Sequence, residues 1–299
     1  MGTTTLVIDG NNVGYSANHA TKLSVGGVET QAVYGSLKTI SQLRRRFAGS
    51  NCLVLWDGRA QWRYDLFPEY KSNRESTGKK KEDRESYKQQ RPVIVEALRY
   101  LGVKQVTDFN SEADDLAAYF SKALTTSPDN RVILVTGDED WLQLVTSQVD
   151  WFDFKKEEHV RINRFSKYTG YVTPDAFVQG KALQGDSSDT IKGVGGIGEK
   201  GAAELMAKYG SVRGFLSTPW TDIEKEGKKL RDFWGSEPAK QILARNLTLM
   251  DLNAATSRIS FANKEVISVP PDFEAFRDLC ERLAFRSILN HFDEFITSF

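Results

Sequence analysis

Val7-Ile8-Asp9-Gly10-Asn11-Asn12 closes a β-branched, apolar run that begins at Thr3, and closes it with an acid and a glycine. A short apolar run ended in this way reads as a buried strand followed by a turn. The pattern recurs where Cys52–Trp56 ends at Asp57-Gly58 and where Arg131–Val135 ends at Thr136-Gly137-Asp138. Helical patterns over Gln31–Phe47, Pro92–Leu101 and Glu112–Leu124 lie between the runs. Strands alternating with helices give an α/β fold, a mostly parallel sheet with helices on both faces. Ligands in such folds bind beyond the carboxyl ends of the strands. Asp9, Asp57 and Asp138 fall at those ends, so three strands deliver acids to one crevice.

More acids sit beside Asp138 and in two other segments. A capping box over Ser111-Glu112-Ala113-Asp114 would account for one or two of the acids there, but leaves Asp115 unexplained. Asp138-Glu139-Asp140 reads either as a solvated turn or as a loop drawn inward by Trp141-Leu142. Asp186 and Asp189 are an exposed acidic turn, or share a face of a helical turn at i, i+3 and bridge a cation. Gathered carboxylates repel, and they stay ionised together only when cations neutralise them. An oxygen-only set without Cys or His suits Mg²⁺ or Mn²⁺. Phosphoryl transfer is the hard chemistry such ions support, two of them clamping the attacking and leaving oxygens.

The bulk numbers constrain less. A chain of 299 residues is one large or two modest domains, and 40 Lys+Arg balance 40 Asp+Glu. The charges are segregated, however. Residues 71–91 hold eight Lys/Arg against four Asp/Glu, and read as a polar, mobile, partly helical excursion from the sheet. Lys79-Lys80-Lys81 reads as a solvated run. Glu69-Tyr70-Lys71-Ser72-Asn73-Arg74 differs, because an aromatic beside two cations suits a single strand held by stacking and charge. Cys52 and Cys280 have no metal-type spacing and read as reduced thiols, and three histidines leave little room for His catalysis. With no apolar run of ~20 residues and no signal peptide, a cytoplasmic protein without membrane contact is expected.

Beyond about residue 165 the chain reads as helical. Thr173-Pro174-Asp175 has the form of an N-cap with Pro at N1. Val194-Gly195-Gly196-Ile197-Gly198-Glu199-Lys200 has the form of a helix–hairpin–helix loop ahead of a helix over Glu199–Tyr209. Its glycines would turn tightly and offer N–H groups to a phosphate, a contact that reads backbone and not sequence. The alternative is a plain glycine-rich loop. Helices are also expected around Ala239–Leu252 and Phe273–Phe285.

Together these motifs resemble the flap endonuclease/5′–3′ exonuclease family, especially the bacteriophage type and the 5′-nuclease domain of bacterial DNA polymerase I. The resemblance covers roughly residues 5–250, in family order, through Leu66–Arg74, Glu112–Asp115, Thr136–Trp141 and Gly185–Gly198. It implies a resolvase-like/PIN-like domain over 1–170, with a helical arch about 61–95. A helical C-terminal domain over 171–299 would carry a helix–three-turn–helix DNA-binding element about 181–212.

Carried over, Asp9, Glu112, Asp114, Asp115, Asp138, Asp140, Asp186 and Asp189 are implied metal ligands, and Asp57 would act through ordered water. Lys71 and Arg74 would stabilise charge on the scissile phosphate, and Tyr70 would stack on a base near the cut. Lys181, Gly196, Gly198 and Lys200 would hold duplex DNA. The implied cofactors are two Mg²⁺ ions, replaceable by Mn²⁺, and a K⁺ ion near the carbonyls of Leu183, Val194 and Ile197. The implied partners are DNA with a 5′ flap, nick or single-strand/duplex junction, and RNA primers on DNA. A monomer is expected, in the host cytoplasm if phage-encoded. With no polymerase region following, the chain is expected to act as a stand-alone nuclease.

Two departures stand out: the arch segment is short and strongly polar, and Lys192 precedes Gly193 where relatives often have Pro or Arg. The rival readings are a PIN-type ribonuclease, which has no use for the glycine-rich hairpin, and a catalytically weak branched-DNA-binding protein, which has no use for the acids. A haloacid-dehalogenase phosphatase fits poorly, because Asp9 is followed by Gly10-Asn11 and no second nucleophile-like Asp.

Overall fold

The computed structural model describes residues 2–20, 22–74 and 78–299. β1 (Thr4–Asp9) runs directly into α1 (Gly10–Ala20). A small hairpin, β2 (Ser24–Val25) and β3 (Val28–Glu29), leads to α2 (Gln31–Arg46) and β4 (Asn51–Trp56). Next come α3 (Gln61–Leu66), α4 (Lys79–Tyr100), β5 (Lys104–Asp108), α5 (Ala113–Leu124), β6 (Arg131–Val135), β7 (Val149–Asp153) and β8 (Glu158–Val160). These elements give the sheet six of its strands, in the order β5-β4-β1-β6-β7-β8, parallel among themselves except for the β7–β8 edge.

Alternation along each central strand builds two layers. Val7, Leu53, Leu55, Val132 and Leu134 pack on one face, and Leu6, Ile8, Val54, Trp56, Ile133 and Val135 on the other. Strands buried on both faces explain the continuous apolar runs. Two glycines let the strand ends close up. A Cβ on Gly10 would meet the Trp56 ring at 2.7 Å, and one on Gly58 would meet the Asp108 carbonyl at 2.1 Å.

Residues 79–91 are not an excursion from the sheet; they form the first half of α4, which continues through Pro92 and packs on α1 and α2. The contact is polar, which is why apolar periodicity missed it. Asn18 is buried and its Oδ1 accepts from Gln31 Nε2 (3.1 Å), Gln90 Nε2 (2.9 Å) and Ser86 Oγ (3.1 Å), while its Nδ2 donates to the Asp83 carbonyl (3.0 Å). A satisfied polar hub of this kind can dock a charged helix without an apolar stripe.

The second half is helical, with α6 (Ile162–Thr169), α7 (Pro174–Gln184), α8 (Glu199–Tyr209), α9 (Val212–Leu216), α10 (Trp220–Ile223), α11 (Lys228–Gly235), α12 (Glu237–Met250) and α13 (Leu252–Ala255). Thr173 caps α7, accepting from Ala176 N–H at 3.1 Å, with Pro174 at N1. Between α7 and α8 a hairpin, β9 (Gly185–Asp186) and β10 (Ile191–Lys192), carries Asp186 on its first strand and Asp189 in its turn, so of the two readings the shared face of a helical turn does not form.

The final stretch departs from the division at 171–299. β11 (Lys264–Ile267) pairs antiparallel with β5 and becomes a sheet edge. α14 (Phe273–Arg282), α15 (Arg286–Leu289) and α16 (Phe292–Ile296) then bury Phe276, Phe285, Ile288 and Phe295 in the layer that holds α1, α2 and α4. Among the described residues no helix is long and apolar enough to cross a membrane.

Candidate metal centre

All five parallel strands end in, or one to three residues before, an aspartate: Asp9, Asp57, Asp108, Asp138 and Asp153. Three of them open into one cleft. A cavity of about 680 Å³ is lined by Asp9, Asp57, Asp114 and Asp138. A neighbouring cavity of about 360 Å³ shares Asp114 and Asp138 and adds Asp140, Asp186 and Asp189. Asp108 and Asp153 take no part, because local structure claims them. Asp108 accepts from Ser111 Oγ (2.5 Å), and Asp153 Oδ1 caps the next turn through the N–H groups of Lys155 (2.8 Å) and Lys156 (3.1 Å).

The inner acids are held by their own strand ends. Asp9 Oδ1 accepts from Asn12 N–H (2.9 Å) and its Oδ2 from Thr136 Oγ1 (3.0 Å), while Asn12 Oδ1 accepts from Gly137 N–H (3.0 Å). Asp57 Oδ1 accepts from Ala113 N–H (2.8 Å) at the start of α5. Asp138 Oδ1 caps the turn of residues 139–144 through Asp140 N–H (2.8 Å). Trp141 is fully buried and donates Nε1 to Asp114 Oδ1 at 2.6 Å, which anchors this loop inward.

The carboxyl groups are under electrostatic pressure. Burial, then the charges of Asp57 and Asp138, push Asp9 up to about 7. Burial, then Asp140, push Asp138 up to about 7. Burial raises Asp114, with Asp138, Glu112 and Asp57 adding to it. Asp57, which faces the open cleft, is raised by desolvation and then by Glu112. Among the described residues no three acids, His or Cys already stand at ligand spacing, so the carboxylates ring the cleft without closing on a point. Crowded hard-oxygen donors that destabilise one another fit divalent cations, whose charge relieves the repulsion.

A pH dependence follows. Asp9 and Asp138 titrate near 7 in the fold but near the ordinary carboxylate value when unfolded. The native state therefore holds more protons between about pH 4 and 7, and their contribution to stability is lost as pH rises through 7. The metal-free protein should melt higher at pH 5.5 than at pH 8, and Mg²⁺ should raise the melting temperature at pH 8 far more than at pH 5.5. Equal metal-induced shifts at both values in calorimetric scans would contradict the assignment.

Several expected residues lie elsewhere than the sequence suggested. Asp115 faces away from the cleft. Arg63, only 1% exposed, holds both its oxygens through Nη1 (2.7 Å) and Nη2 (2.6 Å), and Asp115 Oδ2 accepts from Glu112 N–H (3.0 Å). The capping box thus starts at Glu112, and local structure does explain the third acid. Glu112 is enclosed by Lys71 Nζ (2.5 Å), Tyr70 hydroxyl (2.9 Å) and Arg63 (3.3 Å); burial pushes its carboxyl up, but Lys71 and Arg63 bring it below the usual range. Tyr70 is 4% exposed and its ring packs edge-on against Tyr64 at 5.4 Å, so its face is not presented for base stacking here.

Lys181 stands in the acidic cleft, its Nζ 3.0 Å from Asp140 Oδ1, and not beside the glycine-rich loop. Lys71, with φ +57°, points its ammonium at Glu112 and at Asp189 (3.8 Å), and its N–H donates to the Asp189 carbonyl (3.0 Å). The side chain of Arg74 lies outside the described residues.

The sequence reading missed the basic flank of the cleft. Arg84, Lys88 and Arg91 on α4 line the larger cavity with Tyr15 and Tyr87. Arg91 sits over the Trp56 ring at 5.3 Å and donates to the Asp57 carbonyl at 3.0 Å. Their i, i+4, i+7 spacing was the available signal.

Gly196, Gly198 and Lys200 lie apart from the acids, around a cavity of about 690 Å³ shared with Lys228 and Lys229. Gly195 (φ +54°) and Gly196 (φ +73°) make the left-handed turn, whereas a Cβ on Gly198 would meet nothing within 4 Å. Lys229 Nζ donates to the Gly196 carbonyl at 2.8 Å.

Comparison with known proteins agrees with this geometry. The 5′–3′ exonuclease N-terminal resolvase-like domain matches residues 4–170, and the 5′–3′ exonuclease C-terminal SAM fold matches residues 172–266. DNA polymerase I of Mycobacterium tuberculosis is 33% identical over 263 residues, covering 83% of this chain and 27% of that protein. The chain thus spans about a quarter to a third of the length of the curated relatives it matches. The T5 5′-exonuclease, solved with bound zinc, is 25% identical, with a TM-score of 0.72 over 94% of this chain and 99% of that one. The bacteriophage T5 D15 flap endonuclease, solved with DNA and metal ions, is 24% identical with a TM-score of 0.72 over the same shares, a likeness of fold.

Proposed function

The chain belongs to the 5′–3′ exonuclease family, and on that premise we propose that it is a structure-selective 5′ nuclease, a flap endonuclease and 5′–3′ exonuclease. Its substrates are branched or nicked DNA and RNA primers on DNA. The observation that carries the reading is the pair of adjoining cavities that share Asp114 and Asp138. Asp9, Asp57, Asp114 and Asp138 ring one, and Asp138, Asp140, Asp186 and Asp189 the other, an arrangement suited to two Mg²⁺ ions, with Mn²⁺ as substitute. Divalent ions held there would supply activated water and offset charge on the leaving oxygen.

The chain's own residues bind and orient. Arg84, Lys88 and Arg91 draw the phosphate backbone over the inner acids. Lys71 brings an ammonium to the cleft for charge that develops on the scissile phosphate, and Arg74 follows it in sequence for the same task. Lys181 offsets the charge of Asp140 until substrate arrives. Labour is divided: residues 1–170, joined by Asp186 and Asp189, carry the chemistry, and helices after 171 grip duplex. Gly196, Gly198 and Lys200 supply that grip, with Lys229 adding a cation at the loop; a K⁺ ion there would share carbonyls of Leu183 and Val194 that already accept backbone N–H groups. The protein acts as a monomer.

A 5′-labelled flap duplex tests the reading. Mg²⁺ should give cleavage near the junction with a 5′-phosphate on the duplex product, and EDTA should stop it. Cleavage that persists in EDTA, or that needs no junction, would reject it. Gly198→Ala separates the two regions. No internal contact opposes the new Cβ, so the fold should hold while close approach of a phosphate is blocked. Binding to a long duplex should weaken several-fold and the salt slope should fall by about one phosphate, with single-turnover cleavage at saturating enzyme retained. Normal duplex binding by Gly198→Ala would remove the loop from the interface.

A further inference from the structure

α12 carries no acid into the cleft, yet three acid-bearing segments are fastened to it by three buried polar side chains. Asn246, fully buried within α12, donates Nδ2 to the carbonyls of Ala182 and Lys192, both at 2.9 Å, and so grips the end of α7 that leads into the β9–β10 hairpin and the strand that leaves it, with Asp186 and Asp189 between. Near the end of α12 the Leu249 carbonyl accepts from Arg63 Nε (3.1 Å), and the same guanidinium holds Glu112 and Asp115 at the start of α5. One residue on, the Met250 carbonyl accepts from Gln143 Nε2 (3.1 Å), which also donates to the Asp140 carbonyl (2.9 Å), while Gln143 Oε1 accepts from Leu252 N–H (2.9 Å). A void of only about 20 Å³ separates α12 from the acids: Leu249, Met250 and Leu252 form its floor, and Glu112, Asp140 and Asp189 stand in its wall. Asp9 and Asp138, by contrast, are held by bonds from strand ends and the turn that follows.

We propose that α12 is the strut that sets the spacing of the outer acids, with Asn246 and Gln143 as positioning residues for the outer metal ion and not for the inner one. The proposal rests on the two-metal reading above and adds to it the source of the outer site's geometry. Groups that orient metal ligands are worth about ten- to a hundredfold in metal affinity. These two groups, both bonded to α12, also give the duplex-gripping helices a direct mechanical connection to the outer ion.

The test is a Mn²⁺ titration of the full-length, DNA-free protein, read by loss of the electron paramagnetic resonance signal of free Mn²⁺, with thermal melting alongside. The parent should show two classes of site. Gln143→Met, close in volume and unable to make the bonds, and Asn246→Leu should each weaken one class by about ten- to a hundredfold and leave the other within about twofold. Asp9→Asn should weaken the opposite class. If Asn246→Leu fails to fold, Gln143→Met alone decides between the outcomes. A lower melting temperature with both Mn²⁺ classes unchanged would make these residues merely structural and overturn the proposal, as would equal weakening of both classes. A parent that binds no Mn²⁺ would reject the metal reading itself, an outcome distinct from either.

Discussion

Asp138→Asn should lower single-turnover cleavage of a 5′-flap substrate by about a thousandfold, some 4 kcal/mol of barrier, while DNA binding stays within severalfold of the parent. Asp138 is the acid that lies in both cavities and ends a central strand. Asparagine can still accept from Asp140 N–H, so the cap on the 139–144 turn survives and the loop stays in place. What is lost is a charge on a carboxyl that burial, and then Asp140, already push up to about 7. The metal-free variant should therefore melt higher than the parent at pH 8, and its melting temperature should respond weakly to Mg²⁺. Removing a negative charge also eases the approach of phosphate, which is why affinity should not fall. Near-parental cleavage in Mg²⁺, or a large drop in melting temperature, would remove Asp138 from the centre of the site.

Lys71→Ala should slow single-turnover cleavage about a hundredfold, with a much smaller change in DNA affinity, because a cation at developing charge favours the transition state over the ground state. Its Nζ lies 2.5 Å from Glu112 and 3.8 Å from Asp189, so the variant also leaves two acids less compensated. Lys71 is the leading charge that brings the Glu112 carboxyl below its usual range. A carboxyl with a depressed folded value stabilises the protein above its unfolded value, and loses that contribution as pH falls. Without Lys71 the acid limb of the pH–rate profile should move to higher pH. An unchanged single-turnover rate with weakened binding would make Lys71 an affinity residue alone.

The parts of this site that could be read from sequence are those fixed by backbone periodicity. Strands buried on both faces appear as unbroken apolar runs, and the carboxyl-end rule for parallel sheets then gathers Asp9, Asp57 and Asp138 without further information. Which acids turn inward is a different kind of question. Asp108 and Asp153 occupy equivalent strand ends, yet a serine and a turn claim them. Asp115 is withdrawn by Arg63, 52 residues earlier, and no local pattern marks that pairing. Lys181 sits near the glycine-rich loop in sequence, but α7 carries it to Asp140.

The docking of α4 rests on Asn18, Ser86 and Gln90, residues that hydrophobic periodicity does not register. The return of β11 to the sheet edge depends on a partner strand more than 150 residues away, and its exposed residues give little alternation to detect.

The central claim is that two groups of acids, an inner one of strand-end aspartates with Asp114 and an outer one on the surrounding segments, hold divalent ions side by side. Anomalous scattering from a crystal soaked in Mn²⁺ tests it most directly. The account predicts two peaks in the cleft, one among Asp9, Asp57, Asp114 and Asp138 and the other toward Asp140, Asp186 and Asp189, with none at Asp108, Asp115 or Asp153. Saturating Mn²⁺ that leaves the cleft without a peak, or that binds only at the excluded acids, would contradict it.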